Sequence, residues 1–149
     1  MPSIGQERYS AASESAPPIK TMNAGQLFFA QELARIDADI ARLEKSLNEY
    51  APGDPRAKGQ RALLQVQRQN RALAVELAAY ADDPVRVQME CRLRYMKIAR
   101  QHARAAQNGQ TSHAACSDQW WDTLSQEQYL SDLISRLSAW LLRHHPTPS

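Results

Sequence analysis

Apolar and polar residues recur with helical periods along most of the chain. Between Asn23 and Tyr50 the large apolar residues are Phe29, Leu33, Ile36, Ile40, Leu43, Leu47 and Tyr50, spaced 4-3-4-3-4-3. That spacing is a heptad seam, with Leu33, Ile40 and Leu47 at a and the others at d. It predicts a first helix about 40 Å long at the α-helical rise. Glu32, Arg35, Asp37, Asp39, Arg42, Glu44, Lys45 and Glu49 are expected on its solvated face. So narrow an apolar stripe needs a partner helix to cover it.

A second helix is expected from Arg56 to Ala81, where Leu63, Val66, Asn70, Leu73, Leu77 and Tyr80 repeat the 3-4 spacing. Ala51-Pro52-Gly53-Asp54-Pro55 separates the two helices and reads as a tight turn. The connection is short, so an antiparallel hairpin follows. Asn70 falls at an a position, where a buried amide fixes register or oligomeric state at a cost in stability.

Asp83 and Pro84 suit the N-cap and first position of a third helix, which is expected to end at Asn108 before Gly109. Its apolar residues (Val85, Val87, Met89, Cys91, Leu93, Tyr95, Met96 and Ile98) spread around much of the helix. That distribution predicts a central helix, covered on more than one side. A polar loop is expected over 109–118, followed by Trp120 and Trp121 on a short helical turn. Ser125 and Gln128 have the spacing of a capping box for a last helix through His144. Its apolar face carries Tyr129, Leu130, Leu133, Ile134, Leu137, Trp140 and Leu141.

The eight prolines lie at 2, 17, 18, 52, 55, 84, 146 and 148, which leaves the spans 19–51, 56–83 and 85–145 free of proline. No strand pattern occurs. The expected fold is therefore all-α: an antiparallel bundle of about four helices built on a long heptad-patterned hairpin. Residues 1–22 read as a flexible, disordered tail and 23–149 as one domain. At 149 residues, with 43% hydrophobic and 23% charged residues, the composition is that of a soluble globular chain. No apolar run is long enough to span a membrane, and the N-terminus has no secretory h-region. Two cysteines suit a reducing compartment, so a cytoplasmic protein is expected.

Chemistry is sparse. Cys91 and His102 lie about 16 Å apart along one expected helix and cannot share a metal ion. His113 and Cys116 make one ligand pair without a second. Cys91 reads as a small buried hydrophobe. No P-loop, dinucleotide-binding, zinc-protease or nucleophile-elbow motif occurs. No catalytic residue, metal or cofactor is expected.

Charge changes the picture more. Arg56 to Arg104 holds eleven Lys or Arg against four acids, whereas the formal charge of the whole chain is only +2. On the third helix Arg86, Arg94, Lys97, Arg100 and Arg104 follow one face at helical spacing. This stripe is a candidate partner-binding surface, set against the plainer reading of a solvated face neutralised by acids of the first helix. Trp120 and Trp121 are candidate aromatic anchors, because Trp and Arg dominate binding hot spots.

These features point to a non-enzymatic protein-interaction module. Its expected partner is a larger protein complex, with a small phage or mobile-element inhibitor of a nucleic-acid-handling assembly as the narrower form. Two alternatives use the same features. One is sequence-independent binding of DNA or RNA by the basic stripe, disfavoured because only Tyr95 interleaves it. The other is a homo-oligomer formed through the heptad seam.

Overall fold

The structure is a computed structural model that describes residues 22–107 and 118–144. These form four helices: α1 (Ala24–Glu49), α2 (Pro55–Ala78), α3 (Pro84–Gln107) and α4 (Asp118–His144). The described residues contain no strand. The expected tail, apart from Met22, and most of the loop over 109–118 lie outside them.

Local chemistry fixes the helix ends. Asn23 caps α1 through a reciprocal pair: its Oδ1 accepts from the Gln26 amide, and its own amide donates to Gln26 Oε1. At the other end, the chain turns through Gly53, whose φ of 84° favours a residue without Cβ. Asp54 then caps α2, with Pro55 at the first position. Asp83 accepts from the amides of Val85 and Arg86 to cap α3. The α2–α3 turn is held by Asn23, whose side chain donates to the Asp82 carbonyl at 2.9 Å.

α1 packs chiefly on α2, and α3 chiefly on α4. Asp37 pairs with Arg71, Asp39 with Gln67 and Glu44 with Arg68. From Asp37–Arg71 to Glu44–Arg68 the numbers rise on α1 as they fall on α2, so the two helices run antiparallel. The two pairs meet through a core led by Phe29, Ile36, Leu77, Val87, Cys91, Leu130, Leu133 and Leu137. Trp140 fastens α4 to the start of α1 by donating from Nε1 to the Ala24 carbonyl at 2.8 Å. Gly25 permits the close approach of α1 to the α2–α3 turn, since a Cβ there would lie 2.9 Å from the Ala81 carbonyl oxygen.

Four expectations need correction. Glu32, placed on the solvated face, is almost fully buried. α4 lies over that side of α1 and brings cationic and hydroxyl donors to the carboxylate. Leu63, placed in the α2 seam, is 54% exposed, while Ala57, Leu64 and Ala74 are buried. In the distal half of the hairpin α1 covers α2 on an adjacent face, and the expected seam points past it. α3 is also not central. Val87, Cys91 and Ile98 are buried, but Val85, Met89, Leu93 and Met96 are exposed, because α2 and α4 cover only one side of the helix. Finally, Ser125 does not open the last helix, which already runs from Asp118. No Pro or Gly interrupts 118–144, so the helix passes through the Ser-x-x-Gln pattern.

Candidate interaction surface

The outer face of α3 results from a mismatch between helix composition and helix packing. At about 100° per residue, Val85, Met89, Leu93 and Met96 fall within an arc of about 80°. All four are exposed, by 54–65%. Side chains of this size are singly common at surfaces, but a row spanning three turns is not.

Cations border the row. Arg92 lies on the side facing α4, Arg86, Lys97 and Arg104 lie on the other, and Arg100 continues the row beyond Met96; all five are exposed. Among the described residues, no carboxylate lies within ion-pair distance of any of them. Arg86 is held over the Tyr80 ring at 4.7 Å, a cation–π contact that aims it along the surface. Arg94 behaves differently: it pairs with Glu76 across the α2–α3 contact. It therefore faces α2, away from the row. Arg68 and Arg71 are likewise paired with acids of α1. The basic segment thus divides into cations used within the fold, cations left on the outer face of α3, and Lys58 and Arg61, exposed on α2.

Beside the row, α3 and α4 leave a groove of about 530 Å³ lined by Pro84, Val85, Gln88, Arg92, Ser138, Leu141 and Leu142. Ser138 has too little side chain to fill it, and Leu142, 74% exposed, forms its outer wall. The groove continues past Tyr95, Ser131, Ile134 and Ser135. Small residues on α4 keep it shallow and open.

The candidate aromatics separate. Trp121 is 54% exposed near the start of α4, at the opposite end of that helix from Leu142. Trp120 precedes it on the helix; its side chain lies outside the described residues. Asn70 is buried within the chain and donates to Gln67 Oε1 at 3.3 Å, while its Oδ1 has no partner. Cys91 is buried, and burial pushes its thiol up to about 11, far from a reactive thiolate. Among the described residues no three His, Cys, Asp or Glu converge as a metal set. His113 and Cys116 lie outside those residues.

The most polar buried cluster was not foreseen. Arg136 grips Glu32 bidentately at 2.7 and 3.0 Å, and Arg35 adds two bonds at 2.9 and 3.3 Å. The Tyr129 hydroxyl donates to the same carboxylate at 2.7 Å. Asp132 accepts from Arg136 Nε at 2.6 Å and fixes the guanidinium plane. Burial alone would raise the Glu32 pKa, but the bonds from Arg136, Arg35 and Tyr129 outweigh it and hold the group at about 2. Tyr129 is displaced upward, first by burial and then by its bond to Glu32. A carboxylate already accepting five bonds, with so low a pKa, is poorly suited to proton transfer near neutrality. Its role is to join α1 to α4. The signal was present in the chain: Glu32 lies four residues after Phe28 and four before Ile36, in line with the core.

Comparison with protein-family models, curated proteins and solved structures finds no match for this chain. What can be said of its class comes from the fold: an all-α protein of two packed helix pairs. No helix among the described residues is long and apolar enough to cross a membrane.

Proposed function

We propose that the protein is a non-enzymatic interaction module that docks on a larger protein through the outer face of α3. A single observation carries this reading: cations without an ion-pair partner among the described residues and exposed apolar side chains lie together on one helix. Cations alone would be an ordinary solvated face, and scattered apolar residues alone would be unremarkable. Together they offer apolar area for affinity and charge for orientation and encounter rate. A cytoplasmic location and inhibition of a nucleic-acid-handling complex belong to the narrower form of the same proposal. The heptad seam of α1 and α2 serves, in this reading, to hold α3 in place and not to recruit a second copy.

The test is affinity capture from nuclease-treated host lysate with the wild-type chain and the Arg86→Glu/Lys97→Glu/Arg100→Glu/Arg104→Glu variant. All four side chains are exposed, so the variant should retain its helical circular dichroism. A stoichiometric protein that binds wild type and is lost with the variant is the expected result. Partners that vanish for wild type after nuclease would overturn the reading in favour of nucleic acid. Retention of the same partner by the variant would remove this face from the function.

A further inference from the structure

We infer that the occupant of this face is an acidic amphipathic helix of a partner protein, lying along α3 with an apolar side chain seated in the α3–α4 groove. The inference rests on the docking reading above and adds the chemistry of the partner.

The row from Val85 to Met96 runs for about 16 Å at the α-helical rise, or three turns. Its own spacing is i, i+4, i+8 and i+11, a length that faces the apolar stripe of a second helix with anchors at i, i+4, i+7 and i+11. Met89 and Met96 occupy two of the positions on the row. Their unbranched, polarizable chains adapt to whatever anchors meet them. At the N-terminal end of α3, the groove of about 530 Å³ lined by Val85, Leu141 and Leu142 has room for one large apolar side chain. The row supplies the flat part of such a seat and the groove its pocket.

Charge selects the partner's flanks. Arg92 stands on one side of the row, with Arg86, Lys97 and Arg104 on the other and Arg100 at its C-terminal end. A helix whose apolar stripe sits on the row places both of its polar flanks against cations, so acidic residues are required on both. Glu90 lies on the basic side, but it carries one negative charge among three cations. Farther along, the groove is lined by Glu127, which pairs with His102, and Asp132, which pairs with Arg136, and no cation is among its lining residues there. This confines the acidic partner to the part of the surface beside Val85–Met96. The concave groove also argues for an inserted side chain over a flat lipid surface. A second copy laid face to face would oppose arginine to arginine.

The experiment uses the full chain with ¹³C-methyl-labelled methionine and three synthetic helical peptides of equal length. The first carries Leu at i, i+4, i+7 and i+11 with Glu on both flanks. The second has Lys in place of Glu, and the third is a scramble of the first. Binding is read by fluorescence anisotropy and by the Met89 and Met96 methyl resonances. The acidic amphipathic peptide should bind saturably and shift both methyl groups, whereas the other two should not. Met89→Asp/Met96→Asp and, separately, Arg92→Glu/Arg100→Glu should each weaken binding at least about tenfold, the size expected for interface anchors. All four residues are exposed, and circular dichroism checks that the variants stay folded.

Equal binding of the scramble, or binding insensitive to the methionine variant, would overturn the inference while leaving a charge-only docking face intact. No binding up to about 1 mM, the weak limit of specific association, would also overturn it. Methyl shifts produced by phosphatidylglycerol vesicles but not by the peptide would assign the face to lipid instead. Shifts that follow protein concentration alone would assign it to a second copy. The affinity-capture result is independent of all four outcomes, so failure here and failure of the docking reading are distinguishable.

Discussion

Glu32 shows what one buried side chain contributes. Its carboxylate links two guanidinium groups and a phenol contributed by α1 and α4. Glu32→Gln keeps the shape but leaves Arg136 without its counter-charge. Because Arg136 and Arg35 both reach solvent, the loss should be about 2–3 kcal/mol, below that for a fully buried pair. The pH dependence follows from the lowered pKa. An Asp or Glu depressed in the folded state stabilises above its unfolded pKa, near 4.5, and loses that contribution as pH falls towards about 2. The gap between wild type and Glu32→Gln in urea denaturation should therefore close between pH 5 and pH 2. Parallel stability curves across that range would contradict the buried network. Tyr129→Phe removes one of the five bonds and should cost about 1–2 kcal/mol.

At the scale of the helices, two glycines make opposite predictions. Gly25 lies where α1 meets the α2–α3 turn, and an added methyl group would meet the Ala81 carbonyl oxygen at 2.9 Å. The clash exceeds the helix-propensity gain, so Gly25→Ala should destabilise by about 1–2 kcal/mol. Gly59 lies in the first half of α2 with nothing within 4 Å of the same probe position. Gly59→Ala should stabilise by about 0.5–1 kcal/mol, the ordinary helix preference. Thermal unfolding of both variants decides the matter: equal effects would mean that α1 does not approach the turn so closely. The helices themselves were legible from proline placement, caps and apolar period. Asp54 and Asp83, each followed by Pro, cap α2 and α3 through local hydrogen bonds that need no tertiary partner. The start of α4 was not legible, because a Ser-x-x-Gln spacing has the same appearance inside a helix as at its end.

For the whole molecule the central question is whether the seam residues serve one chain or two. Asn70 is buried inside a single chain, with one hydrogen bond and an unpartnered carbonyl. Asn70→Leu should raise stability by about 1 kcal/mol, since an unsatisfied buried acceptor is costly and an apolar replacement is not. Its mass by light scattering should match that of wild type. A changed mass would show that α2 carries an intermolecular seam and would favour the self-association alternative. The same single-chain packing leaves the basic and apolar row of α3 uncovered, which makes that row the feature most in need of a partner.

The sequence by itself determined that the chain is helical, where most helices begin and end, and that its middle segment is basic. These properties are local: they depend on caps, prolines and periodicity within a few turns. Only the tertiary structure decided which face of each helix is covered. It took Arg94, Arg68 and Arg71 out of the free basic set by placing acids beside them. It buried Glu32 by laying α4 across α1, and it left Val85, Met89, Leu93 and Met96 exposed because, among the described residues, no helix crosses that side of α3. An apolar residue in a sequence states a preference for burial. Whether the preference is met within the chain depends on where the neighbouring helices lie, and periodicity does not encode that.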